Sequence, residues 1–336
     1  NYQASLKDPG RYAHGGKYMI QLLYDSIADL NGAISTPVDM ETLHRIDHGH
    51  FAGSEDAFRH WDEDGAVPGR CSKCHTAAGL PLFATEGVSI SQPLANGLNC
   101  ATCHSSLETY EVYTFESVEF PSGASVSFGE GETANTCINC HQGRSSTVSV
   151  DRAIGDLGDD ELSDSLRFLN IHYFAAGATL FGTEVQGAYQ YEGNEYLGRF
   201  EHVGAFDTCT ECHDTHALEV EVVECADCHE NVETAADLQD IRVSEVDFDG
   251  DGDVTEGLDG EIDTMAELLY TAMSDYAVSI GADPIVYDSH AYPYFFNDVG
   301  DRYGTWSPTL LRAAYNYQYA LKDPGAFAHN GQYLIQ

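Results

Sequence analysis

Five segments carry the same arrangement of two cysteines and a histidine. They are Cys71-Ser-Lys-Cys74-His75, Cys100-Ala-Thr-Cys103-His104, Cys137-Ile-Asn-Cys140-His141, Cys209-Thr-Glu-Cys212-His213 and Cys225-Ala-Asp-Cys228-His229. Together they use all 10 cysteines of the chain. Two thiols three residues apart, followed at once by an imidazole, suit covalent attachment of c-type haem. The thiols form thioethers to the haem vinyl groups, and the histidine lies under the iron as proximal ligand. Zinc sites and dithiol redox centres also use Cys-x-x-Cys, but neither requires a histidine after every second cysteine. The spacing predicts five haem c groups, with His75, His104, His141, His213 and His229 as proximal ligands.

The sixth coordination position decides what such a haem does. Two protein ligands give an electron carrier, whereas an open position admits a substrate. Ten further histidines are present, enough for five bis-histidine haems. His216 is the most specific distal candidate, because it follows His213 closely enough to reach a different, neighbouring haem. His172 lies in an apolar stretch, where a buried imidazole needs a partner. His202 precedes the fourth motif and His60 the first, and His50 sits in a Gly-His-Phe-Ala-Gly stretch. His290, among aromatic residues, fits a ligand or a core histidine equally well. His14 and His329 occupy the same position in two copies of a repeated segment, and His44 and His48 are weaker candidates. Of the four methionines, Met19, Met265 and Met273 fit helix cores, which favours bis-histidine, low-potential haem over histidine–methionine ligation.

A second candidate site is acidic. Asp247, Asp249, Asp251 and Asp253 alternate around Gly250 and Gly252, like the start of an EF-hand loop whose oxygens suit Ca²⁺. The twelfth position is Leu258 where the motif requires Glu, so Glu256 or Glu261 would have to substitute. A solvated acidic turn accounts for the same residues. Calcium here would pin the start of a helix near Glu261.

The elements that must position these residues are modest. Only 43% of residues are hydrophobic and 32 are glycines, so a loop-rich multihaem cytochrome c is expected. Short helices and a few short strands would wrap a haem stack, with little regular secondary structure. Residues 1–32 form an N-terminal repeat segment and helix, with Met19, Leu23, Ile27 and Leu30 at helical spacing and Asn31-Gly32 as a stop. Residues 33–235 form the five-haem region. A hairpin is expected near residues 110–128, turned at Pro121-Ser122-Gly123, and a short strand at Leu218, Val220 and Val222. Residues 236–315 hold the acidic calcium-like loop and helices. One helix is marked by Ile262, Met265, Leu269, Met273 and Tyr276, another by Ser307-Pro308 as cap and first residue. Residues 316–336 copy residues 1–21 at 14 of 21 positions without a gap. Such ends suit either one period of a longer tandem repeat or equivalent sites in neighbouring subunits of a head-to-tail assembly.

The formal charge of −40 disfavours nucleic acid and anionic lipid and favours cations. No stretch reaches the roughly 18–20 apolar residues of a membrane span, so no transmembrane segment is expected. Asn1 looks like a processed or trimmed start, and covalent haem attachment implies export.

The attachment motifs, the His213-Asp-Thr-His216 run, the His60-Trp-Asp-Glu-Asp-Gly65 stretch, the His141-Gln-Gly-Arg144 stretch and the Asp-Pro-Gly-x-x-Ala-His ends resemble exported multihaem c-type cytochromes. More loosely, the chain is similar to outer-surface cytochromes that polymerise into conductive filaments, or nanowires, in metal-reducing microbes. That resemblance implies bis-histidine haems in a continuous stack, with one axial ligand able to come from the next subunit. The five-haem count departs from the four- and six-haem forms of those filaments. The expected function is electron transfer along the haems, within an extracellular or cell-surface polymer, the periplasm being the alternative location. Expected partners are further copies of the chain, redox partner cytochromes and extracellular acceptors. Two other readings are a multihaem oxyanion reductase with an open haem and a structural surface fibre. No Cys-x-x-Cys-Lys motif of the pentahaem nitrite reductases is present.

Overall fold

Helix, turn and coil dominate, and among the described residues every strand is two residues long. The computed structural model describes residues 1–40, 43, 45, 56–204 and 206–336. His44, His48 and His50 lie outside the described residues. Two compact units are defined, residues 1–83 with 88–102, and residues 84–87 with 103–336.

The first unit begins with α1 (Tyr2–Lys7) and α2 (Arg11–Asn31). The helix predicted from Met19, Leu23, Ile27 and Leu30 is therefore present, and Gly32 caps it, its backbone N–H donating to the Leu30 carbonyl. Its apolar stripe is not fully covered, since Leu30 is 58% exposed, and Tyr18 beside it is 62% exposed. The first motif lies on α3 (Gly69–His75), which follows the extended Pro68. Strands β1 (Ala66–Val67) and β2 (Gln92–Pro93) pair antiparallel beside it.

The second unit holds the main core. Strands β3 (Val118–Glu119) and β4 (Ser125–Val126) form the predicted hairpin, with Gly123 at φ +90° in its turn. That conformation is easy for glycine and strained for other residues. Short helices α4 (Ala134–Ile138), α5 (Thr147–Ile154) and α6 (Ala176–Phe181) follow. The predicted strand at Leu218–Val222 does not form. Val220 makes one isolated bridge to His213, Leu218 takes φ +58°, and Val222 opens a helix.

Three helices after residue 257 exceed the short lengths expected. Helix α7 (Leu258–Ser279) buries Ile262 and Met273, members of the predicted stripe. Helix α8 (Pro308–Lys322) is capped by the Ser307 hydroxyl, which accepts from the Leu310 amide at 3.2 Å. It stops at the extended Asp323, because the residue before Pro324 is disfavoured in helix. Helix α9 (Ala326–Ile335) then packs against α6 and α7. Strands β5 (Val286–Tyr287) and β6 (Phe295–Phe296) complete the elements. The centre is aromatic: Trp306 packs edge-on against Phe295 at 5.6 Å and Tyr303 at 4.7 Å.

The repeated segments fold alike but are covered differently. Gly15 in α2 and Asn330 in α9, equivalent positions, both break helical geometry. Tyr18 is 62% exposed, whereas its counterpart Tyr333 is 2% exposed and its hydroxyl accepts from Gln190 Nε2 at 2.9 Å.

Asp259, in the first turn of α7, has its carboxyl pushed up to about 6 by burial and then by the charge of Asp263. Its folded value lies above the unfolded one, so ionisation opposes folding as pH rises through about 6. After allowance for solvent screening, Asp259→Asn is expected to stabilise the fold by about 1 kcal/mol above pH 7, with the gain gone below about pH 4. Thermal unfolding midpoints at the two pH extremes check this.

Candidate haem sites

Each Cys-x-x-Cys-His run folds as a helical turn. The His141 amide donates to the Cys137 carbonyl at 3.1 Å, His213 to Cys209 at 2.9 Å and His229 to Cys225 at 2.9 Å. Residues three and four apart share one helix face, so each turn presents two thiols and an imidazole together. No disulfide joins any of the ten cysteines. The thiol sulfurs are the atoms that would form thioethers to an attached haem. Cys137 and Cys209 are within hydrogen-bonding contact, which places the third and fourth attachment turns side by side.

Three of the five motif histidines are oriented through Nδ1. His75 Nδ1 lies 2.6 Å from the Ala57 carbonyl, His104 Nδ1 2.8 Å from that of Tyr110, and His141 Nδ1 2.8 Å from that of Phe174. His213 bonds the Leu218 carbonyl. A carbonyl accepts only, so Nδ1 carries the hydrogen and Nε2 keeps its lone pair for a metal. Tyr110, Phe174 and Leu218 take φ +58°, +53° and +58°. Non-glycine residues in this region cost of order 1 kcal/mol each and concentrate at functional sites. Three of these carbonyls thus reach their imidazoles through strained backbone. Burial also holds the His141 and His213 imidazoles below the usual histidine range, the latter with help from the charge of His329. That favours the neutral, ligating form.

Three motif histidines face a second imidazole. Ring centres are 6.3 Å apart for His104 and His216, His229 and His202, and His213 and His329. A metal–imidazole bond of about 2 Å, plus about 1.1 Å from nitrogen to ring centre, doubled, gives about 6.2 Å. The spacing therefore matches two imidazoles sharing one iron. His216 meets His104 of the second motif rather than its own neighbour His213, and the rings are nearly parallel at 13°.

The other candidates are placed differently. His60 lies against Trp61 at 5.1 Å, and Trp61 in turn against His75 at 5.4 Å, so an indole contacts both imidazoles. His172 is half-buried at φ +85°, edge-on to Tyr173. His290 has a side chain 94% exposed beside Asp288. His14 is 70% exposed and bonds Asp8 through Nδ1 at 3.0 Å. Among the described residues, His14, His60 and His290 form no imidazole pair.

Sequence reasoning missed the carboxylate partners. His329 Nδ1 lies 2.9 Å from both oxygens of Asp323. Burial opposes charge on both groups, yet the pairing holds Asp323 below the usual carboxylate range and His329 above the usual histidine range. The signal was the invariance of the Asp-to-His spacing between the two repeated ends, Asp8 to His14 and Asp323 to His329.

The acidic loop gathers Asp247, Asp249 and Glu261, and also Asp249, Asp251 and Glu256, each set with oxygens within 4.8 Å of one another. Glu261 is buried, ion-pairs with Arg242 at 2.5 Å, and accepts from the Phe248 and Asp249 amides at 2.9 Å. It anchors the loop to α7. Desolvation, followed by the charges of Asp249 and Asp251, pushes the Glu256 carboxyl up. Asp253 turns instead to Thr255, accepting from its amide at 2.8 Å and its hydroxyl at 2.6 Å.

Sequence comparison finds the chain homologous to polyhaem c-type cytochromes. It is similar to the C-type polyheme cytochrome OmcB of Geobacter sulfurreducens, with 24% identity over a 396-residue alignment covering 97% of this chain and 50% of OmcB. Similarity to OmcC of the same species is 24% over 402 residues, covering 97% of this chain and 48% of OmcC. The chain spans about half the length of the curated relatives it matches. No protein-family model and no solved structure matches it. Among the described residues, no helix is long and apolar enough to cross a membrane.

Proposed function

We propose that this chain carries electrons through five covalently attached, bis-histidine c-type haems. The observation that carries the reading is the common 6.3 Å spacing of three imidazole pairs, each containing one motif histidine. Haem supplies a reversible one-electron iron couple when bound. The chain's own residues do the rest. Cysteine pairs tether each group, and backbone carbonyls hold the motif imidazoles with Nε2 available. Second imidazoles from His216, His202 and His329 would close the sixth positions and exclude substrate. For the first and third haems, His60, His50 and His172 are the proposed distal ligands, with His14 and His290 as the alternatives. The contact of Cys137 with Cys209 supports close approach of the third and fourth haems.

The reading extends to an exported, extracellular polymer acting with further copies of itself and with other redox proteins or acceptors. Its support is the repeated end segments. One copy leaves Tyr18 exposed, while the other covers the equivalent Tyr333 and brings His329 to His213. The acidic loop is proposed as a calcium site using Asp247, Asp249, Asp251 and Glu256, with Glu261 as its anchor and Asp253 at its edge.

Quantitative haem assay on the haem-loaded chain should return five per polypeptide, and carbon monoxide should leave the reduced spectrum unchanged. Fewer haems, or a carbon monoxide adduct, would contradict a fully ligated electron carrier, and the adduct would favour a reductase. For the loop, Ca²⁺ should raise the unfolding midpoint and a chelator should reverse it; an unchanged midpoint argues against calcium.

A further inference from the structure

The partner of Nδ1 differs among the histidines that pair. His104 and His202 face backbone carbonyls, at 2.8 Å to Tyr110 and 3.2 Å to Val203. His216 has the Thr215 hydroxyl at 3.5 Å. His329 has a carboxylate, with both Asp323 oxygens at 2.9 Å. Within these pairs, His329 is thus bonded to an anion.

This contact is built rather than incidental. The Asp323 side chain is 2% exposed, so its charge acts in a dry environment where electrostatic effects are strong. Gly325 permits the ring to lie over the turn, since a Cβ there would meet His329 Cε1 at 2.8 Å. The Gly325 amide donates to Asp323 at 3.3 Å and helps hold the carboxylate. The neighbouring cation does not neutralise it: Lys322 Nζ sits over the Tyr173 and Tyr294 rings, 3.7 and 4.3 Å from their centres. The same unit recurs in the other repeated segment. There Asp8 holds His14 at 3.0 Å, the Gly10 amide donates to Asp8 at 2.9 Å, and a Cβ at Gly10 would meet His14 Cε1 at 2.5 Å.

We propose that Asp323 is a positioning residue that raises the donor strength of His329 and so lowers the potential of the haem attached at Cys209 and Cys212. The proposal rests on the reading that His213 and His329 ligate one iron. A carboxylate drawing on the Nδ1 hydrogen shifts electron density towards Nε2 and stabilises ferric over ferrous iron. Neutral carbonyl acceptors do this less. The Asp-Pro-Gly-x-x-x-His unit is thus a self-contained device that presents an electron-rich imidazole, wherever the segment docks.

The test is Asp323→Asn in the haem-loaded chain, which keeps the side chain's shape and removes its charge. Spectroelectrochemical titration should show one of five haems moved to higher potential, with four unmoved and all five low-spin. An unchanged titration at full haem content overturns the proposal. Should the buried substitution prevent folding, the unaltered protein still decides. One of its five low-spin ferric signals should have distinctly the smallest g anisotropy, as imidazolate character requires, and five alike overturn the proposal. His329→Ala separates the two levels of the argument: one high-spin haem upholds the ligand reading irrespective of Asp323, and five low-spin haems overturn that reading and the proposal with it.

Discussion

An imidazole that is to hold a metal must give one nitrogen to the protein and keep the other. The rest of this molecule depends on that division. The Cys-x-x-Cys-His turns are too short to orient their own rings, so acceptors come from elsewhere in the chain: Ala57, Tyr110, Phe174 and Leu218. Three of these lie in left-handed backbone. Local strain of that kind persists only where surrounding structure over-determines it. In the second unit that support comes from the aromatic core around Trp306 and from the hydrogen bond that ties the Phe174 amide to the Lys322 carbonyl.

The C-terminal quarter has no haem motif, yet it organises the second unit. Helices α7 and α8 carry much of the core, and Asp323-Pro324 turns the chain so that α9 returns along α6. That return brings His329 to His213 and buries Tyr333. The identical turn at Asp8-Pro9 aims His14 into solvent. One sequence therefore makes the same local structure twice, and what differs is the surface available to receive it.

Chemistry carried by contiguous residues was legible in the sequence. The five motifs, the hairpin turned at Gly123, the α7 stripe and the Ser307-Pro308 start of α8 all follow from short-range rules of spacing and capping. Long-range pairing was not. Nothing in the neighbourhood of His216 says that it meets His104, because that contact depends on how separate loops fold together. The alternation at Leu218, Val220 and Val222 suggested a strand, but Leu218 instead turns its carbonyl to His213. Exposure of His290 was equally hidden, since a run of aromatic neighbours in sequence does not specify on which side of them the imidazole lies.

The most direct test of a ligated haem chain is an iron anomalous-difference map of the haem-loaded protein. It should place single irons between His104 and His216, between His229 and His202, and between His213 and His329. Iron bound to the motif histidine alone at any of these three positions would contradict the account.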